Sequence, residues 1–205
     1  MNDALFFSRN IVTRISHDLA GAVGAVSNGL ELLEEGGQTD SETLDLVKSS
    51  AAILFARTLF FRAAYGNEGP LSGNEAAERI LKGYLASLEN KAAHFSCLWK
   101  VDAGLPLFFF RLILLAAQTI AEKMPKGGTL EITAEAGENK ISVEAKADKL
   151  LMPENGLTVP SVQELMPKDV AAFCLFENLK ERNWIARMAA ENGQLSLVLE
   201  PAENK

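Results

Sequence analysis

Along the first part of the chain, apolar residues return at alternating spacings of three and four. Ile15, Leu19, Ala22, Val26, Leu30 and Leu33 make one stripe, the period of a helix with one buried face. The pattern predicts a helix over about residues 3–35. "EEGGQTDSET" breaks it. Gly36 and Gly37 suit a helix C-terminus, because glycine takes positive φ without steric cost. Thr39 and Glu42 stand at capping-box spacing for a second helix, with Asp40 and Ser41 as alternative caps. That helix runs to about Tyr65. Leu44, Val47, Ala51, Leu54, Thr58, Phe61 and Tyr65 keep a heptad rhythm, while Ile53, Phe55, Leu59 and Phe60 spread apolar surface over further faces. A two-helix hairpin has no interior large enough for all of it. Each large side chain left wet forgoes roughly 1.5–3 kcal/mol. Either a second copy closes a four-helix bundle, or the C-terminal part of the same chain covers these faces. The first is the expectation: a homodimer through residues 3–66.

The pattern then changes. "YGNEGPLSGNEAAE" reads as a linker that ends in a helix start, with Ser72 and Glu75 at capping-box spacing. A helix follows to about Leu88, then a strand in "SCLWKVDAG", then a buried helix over about 106–124. "GGTLEITAEAGENKISVEAKA" alternates as a hairpin around Gly137, Glu138 and Asn139. Pro153, Asn155, Gly156 and Pro160 mark an irregular connection, and a helix is predicted over 168–183. "WIARMAAENGQLSLVLE" is a second hairpin, turning at Asn192-Gly193. The whole is α+β: a helical hairpin in residues 1–67, then about three helices on one face of a mostly antiparallel sheet in residues 68–205.

Composition narrows the function. The net charge is −7, whereas a duplex-binding surface is basic, so nucleic acid is not an expected partner. The start of the chain lacks the layout of a signal peptide. The most apolar run, "LPLFFFRLILLAAQTIA", contains Arg111 and falls short of the ~20 residues of a bilayer span. A cytoplasmic protein without a membrane segment is expected. Cys97 and Cys174 fit no metal spacing and read as buried reduced thiols. No metal site is expected.

The chemistry gathers at "RISHDLAGAVGAVSNGLELL". A helix turns about 100° per residue. His17, two after Ile15 and two before Leu19, therefore points away from the apolar stripe. Gly21, Gly24, Asn28 and Glu31 continue its face. Glycine inside a helix costs about 1 kcal/mol relative to alanine, so two of them beside an exposed imidazole suggest a face that something approaches closely, whether a partner protein or another helix of the bundle. Imidazoles titrate near about 6.5 in general and so offer a free ring nitrogen at neutral pH, a competent nucleophile. Asp18 is placed to hold the other nitrogen. Arg14, one turn back, is placed to offset phosphoryl charge. No Ser, Cys or metal ligand completes a hydrolytic triad nearby, so the His-Asp unit implies group transfer rather than water activation. His94, in "NKAAHFSC", has no acidic neighbour at helical spacing and reads as structural.

These residues resemble the histidine-bearing helix of the ChpT-type histidine phosphotransferases of alphaproteobacteria, most specifically in "SHDL…VGA…NGLELL". Over the remainder, the likeness rests on element order and on "MPKGGTLEI". It implies a dimeric four-helix bundle and a C-terminal α/β sandwich similar to the ATP-binding domain of sensor histidine kinases. It implies that His17 accepts a phosphoryl group from a receiver-domain aspartate of a hybrid kinase and passes it to response-regulator receivers. Asp18 is then the acidic neighbour, and the face read above from helical phase, with Arg14, Gly21, Gly24, Asn28 and Glu31, is expected to dock the receiver. Many relatives carry Ser-Pro near Gly21-Ala22, which this chain lacks. Mg²⁺ would come from the partner receiver, and the chain would need no cofactor of its own. ATP binding is expected to be absent. The position for a Mg²⁺-holding Asn falls near Thr119, Asp148 is not followed by Gly-x-Gly, and the last helix lacks glycine. A non-catalytic dimer that sequesters a regulator is the alternative. A regulator phosphatase is disfavoured, since Gly21 stands where a water-positioning Asn, Gln or Thr would be needed, and an active kinase is disfavoured by the missing nucleotide motifs.

Overall fold

The computed structural model describes residues 2–35, 41–67, 69–151, 157–191 and 193–202. Helices α1 (Asp3–Glu35) and α2 (Ser41–Tyr65) pack along one another as a hairpin. The expected glycine stop at Gly36-Gly37 and the Thr39 or Asp40 cap lie outside the described residues. Where the helices touch, Gly29 is buried, and a Cβ there would meet the Val47 side chain at 2.5 Å. The small-residue contact that the hairpin needs is therefore at Gly29, not at Gly21 or Gly24.

Helix α3 (Asn74–Ala86) is followed by β1 (His94–Val101), α4 (Leu107–Ala121), β2 (Gly127–Glu135) and β3 (Lys140–Lys146). Two short 3-10 turns at Val162–Glu164 and Pro167–Asp169 lead into α5 (Val170–Lys180), and β4 (Trp184–Glu191) and β5 (Gln194–Pro201) complete the order. The capping box expected at Ser72 and Glu75 is absent. Gly73 is the N-cap, at φ 137°, without a side-chain cap bond. The sheet order is β1-β2-β3-β5-β4. Only the β1–β2 pair is parallel, joined by the α4 crossover; the other pairs are antiparallel. Gly127 sits opposite His94, and its φ of 74° lets the two backbones close where any Cβ would collide. His94 itself is exposed at the edge. Gly193 at the second hairpin turn has φ 74°; Asn192 lies outside the described residues.

One sheet face carries Leu130, Ile132, Ala134, Ile141, Val143, Ala145, Leu195, Leu197 and Leu199, all buried. Helices α3, α4 and α5 cover it over β1, the central strands and β4 respectively. α4 is covered on both sides, by the sheet and by α2. This double cover explains its apolar sequence: Phe109, Phe110, Leu112 to Ala121 are buried. No described helix is long and apolar enough to cross a membrane. Both cysteines are free; Cys174 is buried, but Cys97 only half-buried.

The end of the hairpin belongs to the same core. Phe60, Phe61, Ala63 and Ala64 join one apolar cluster with α3, α4 and the sheet, and the Phe60 ring stacks on Tyr84 at 3.8 Å between centroids. Part of the surface assigned above to a second copy is thus covered by the chain itself. Along α1, Leu30 departs from the buried stripe and is exposed.

Candidate functional site

His17 projects from α1 into solvent, its side chain 86% exposed. Helical phase dictates this: the flanking Ile15 and Leu19 both pack against the core cluster. Its Nδ1 stands 3.3 Å from Asp18 Oδ1. A carboxylate only accepts, so this contact assigns the proton to Nδ1 and leaves the Nε2 lone pair free. Asp18 is only 19% exposed, and its Oδ2 accepts from Arg14 Nε at 2.7 Å.

Arg14 does not stand free on the docking face. It is 16% exposed, and its Nη2 donates to Glu122 Oε1, 2.8 Å away at the C-terminus of α4. Its charge is shared between two carboxylates. Burial disfavours the guanidinium charge, but Glu122 and Asp18 outweigh it and raise its pKa further above the ordinary value. Burial pushes the Glu122 carboxyl up to about 7, against the pull of Arg14. Behind Glu122 stands Gln118, whose Nε2 donates to Glu122 Oε1 at 3.3 Å and whose Oε1 accepts from Tyr65 OH at 2.6 Å. A polar chain thus runs from the exposed ring to the centre of the molecule.

A second arginine fixes the backbone of the same turn. Arg57 of α2 donates through Nη1 to the Asp18 carbonyl and through Nη2 to the Ser87 carbonyl at 2.8 Å, at the C-cap of α3. A cavity of about 260 Å³ opens beside this seam, lined by Arg14, Asp18, Arg57, Tyr84, Phe95 and Glu122 among others.

Gly21, Asn28 and Glu31 are exposed and Gly24 half-exposed on the face that His17 begins. A Cβ added at Gly21 or Gly24 would meet nothing within 4 Å, so no contact inside the chain requires either glycine. Sequence reasoning gave Arg57, Glu122, Gln118 and Ser87 no part in the site, and Tyr65 only a heptad position. The signals were there in two cases: Arg57 is a lone cation inside an apolar run, and Glu122 is the first acid after the apolar helix. Thr119, at the position expected for a Mg²⁺-holding Asn, is buried, and its hydroxyl donates to the Leu115 carbonyl. Asp148 is exposed.

Comparison with known proteins follows this geometry. Residues 74–191 match the histidine phosphotransferase C-terminal domain family. The protein phosphotransferase ChpT of Brucella abortus (strain 2308) is 31% identical over 164 residues, covering 77% of this chain and 76% of that protein. A solved bacterial phosphotransferase shares the fold at a TM-score of 0.78, with 23% identity over 96% of this chain and 97% of its own. By sequence over most of its length and by the matched domain, the chain belongs to the ChpT-type histidine phosphotransferases.

Proposed function

We propose that His17 carries a phosphoryl group between receiver domains in a two-component phosphorelay. The observation that supports this reading is an imidazole in open solvent, backed by a half-buried carboxylate at its inner nitrogen. In the forward step, the Nε2 lone pair attacks the phosphorus of a receiver's aspartyl phosphate. The bond from phosphorus to the carboxylate oxygen breaks, and the receiver regains its free carboxylate. The ring keeps its Nδ1 proton and becomes a phosphoimidazolium, whose positive charge faces Asp18. The reverse step, with a second receiver's aspartate as acceptor, restores the neutral ring. No proton needs to leave the site. Catalysis is then chiefly in-line placement and charge neutralisation.

The receivers are those of a hybrid histidine kinase as donor and of response regulators as acceptors, and each brings its own Mg²⁺. Gly21, Gly24, Asn28 and Glu31 form the face on which they seat. The protein works as a homodimer in the cytoplasm and binds neither ATP nor nucleic acid. The inward-facing Thr119 supports the absence of ATP chemistry. The apolar side chains Leu5, Val12, Val23 and Leu30, all exposed in the single chain, support a second copy as partner. They lie about 120–140° around α1 from His17 at 100° per residue, so a bundle closed on them leaves the ring accessible.

Phosphotransfer from a panel of phosphorylated receivers tests this reading. Native protein should acquire an acid-labile phosphohistidine and pass it on, and His17→Ala should acquire none while keeping its fold. Equal labelling of His17→Ala would refute the assignment. A stable receiver complex without label would favour sequestration of a regulator instead.

A further inference from the structure

We propose that Glu122 is a positioning residue for His17, acting through Arg14 and Asp18; the role in transfer rests on the phosphotransfer reading above. The argument begins with the valence of Arg14. An arginine four residues before an aspartate on one helix can present its whole fork to the carboxylate. Here the fork is split. Nη2 is held by Glu122 at 2.8 Å, and Asp18 receives Nε alone, at 2.7 Å on Oδ2. Oδ1 is thereby left for His17 Nδ1.

Arg14 and Asp18 both line a cavity of about 260 Å³, and among the described residues the guanidinium is held by Asp18 and Glu122. Glu122 is the group that keeps the fork split. Glu122 is in turn oriented by Gln118, itself fixed by Tyr65 of α2. The backbone of the His17–Asp18 turn is held separately, by Arg57. The α/β part of the molecule therefore sets the side-chain geometry of the phosphotransfer residue. Without Glu122, Arg14 closes its fork on Asp18, occupies both oxygens and frees the ring to rotate or to exchange its proton to Nε2, the nitrogen that must stay bare.

The direct measurement is the tautomer of His17, read from the imidazole ¹⁵N shifts of the full-length labelled protein. Above the pH of about 7 at which Glu122 ionises, native protein should hold the proton on Nδ1. Glu122→Gln, which keeps the size and the polar contact to Gln118 but offers Arg14 a neutral amide in place of a carboxylate, should show a mixture of both tautomers. Arg14→Lys, which has no fork to split, should do the same, and the double variant should add nothing further. In transfer assays Glu122→Gln should lower the rate at saturating phosphoreceiver by about tenfold to a hundredfold. Its half-saturating receiver concentration should stay near native, and its far-UV circular dichroism should show the native fold. Identical His17 tautomers in native and Glu122→Gln protein would overturn the proposal, even with transfer intact. A tautomer change in a protein that transfers nothing would keep the coupling and remove the phosphotransfer reading.

Discussion

At the end of α2, Phe60 and Phe61 are sealed beneath α3 and α4, whereas Phe55, one and a half turns earlier, is 66% exposed along with Val12, Val23 and Leu30 of α1. By residue type and helical setting these positions are alike. They differ in what the rest of the chain brings to them. The α/β part covers one face of the open half of the hairpin, where Phe7, Ile11, Ile15 and Leu19 of α1 and the end of α2 pack on it, and leaves Leu5 and Val12 of that same stretch bare. The lesson is that an excess of apolar helix surface has two causes in one element here. One is internal docking. The other is apolar surface that the single chain leaves exposed, the face on which the proposed second copy would close.

The sharpest way to break that contrast is to truncate one residue from each side. Phe60→Ala removes a fully buried ring that stacks on Tyr84. It should cost about 3–5 kcal/mol in denaturant unfolding, whatever the protein concentration. Val23→Asp should leave the single-chain fold standing, because the side chain is half exposed, yet convert a dimer to monomer in light scattering or sedimentation. A Val23→Asp protein that stays dimeric would move the second copy to another surface.

How much of this was legible beforehand depends on the range of the interaction. The element order, the buried α4 and the outward turn of His17 follow from period alone, because phase on a helix is a local property. So does the pairing of Asp18 with the ring. The destination of Arg14 was not legible. Its partner Glu122 lies 108 positions away, and the i, i+4 spacing to Asp18 gave no sign of a competing carboxylate. Arg57 stands out in sequence as a cation inside an apolar run, but its partners, the Asp18 and Ser87 carbonyls and the Ser87 hydroxyl, lie on other helices and leave no trace in local spacing. The cap of α3 was misplaced because Gly73 starts the helix through backbone conformation, while Ser72 offered only the right side chain.

The seam between the two regions should carry a pH signature. The Glu122 carboxyl titrates near 7 in the folded chain and from an ordinary value of 4.5 when unfolded. Between these values the folded state binds more protons than the unfolded one. The contribution is fully present below 4.5 and is lost as pH rises through about 7, with a slope of at most about 1.4 kcal/mol per pH unit. Other groups add their own slopes, so the informative quantity is the native curve minus that of Glu122→Gln. That difference should fall across this window and flatten above it. A flat difference would mean that Glu122 is hydrated rather than held in the seam.

The smallest effects test the same contrast within α1 itself, where one glycine faces inward and another outward. At Gly29 a methyl group would press on Val47 at 2.5 Å. Val47 is branched and stiff at χ1, so the two helices must part. Overpacking of about 1–3 kcal/mol then exceeds the ~1 kcal/mol gained in helix propensity, and Gly29→Ala should be destabilised. At Gly21 a methyl meets nothing, so Gly21→Ala should be stabilised by up to about 1 kcal/mol. A glycine retained there against its own helix needs a reason outside the single chain. If the reason is a visiting receiver, Gly21→Leu should melt no lower than native and yet transfer phosphate more slowly, with the loss in half-saturating receiver concentration. Native transfer by Gly21→Leu would leave the glycine without a docking role and would shift the receiver's seat away from this face.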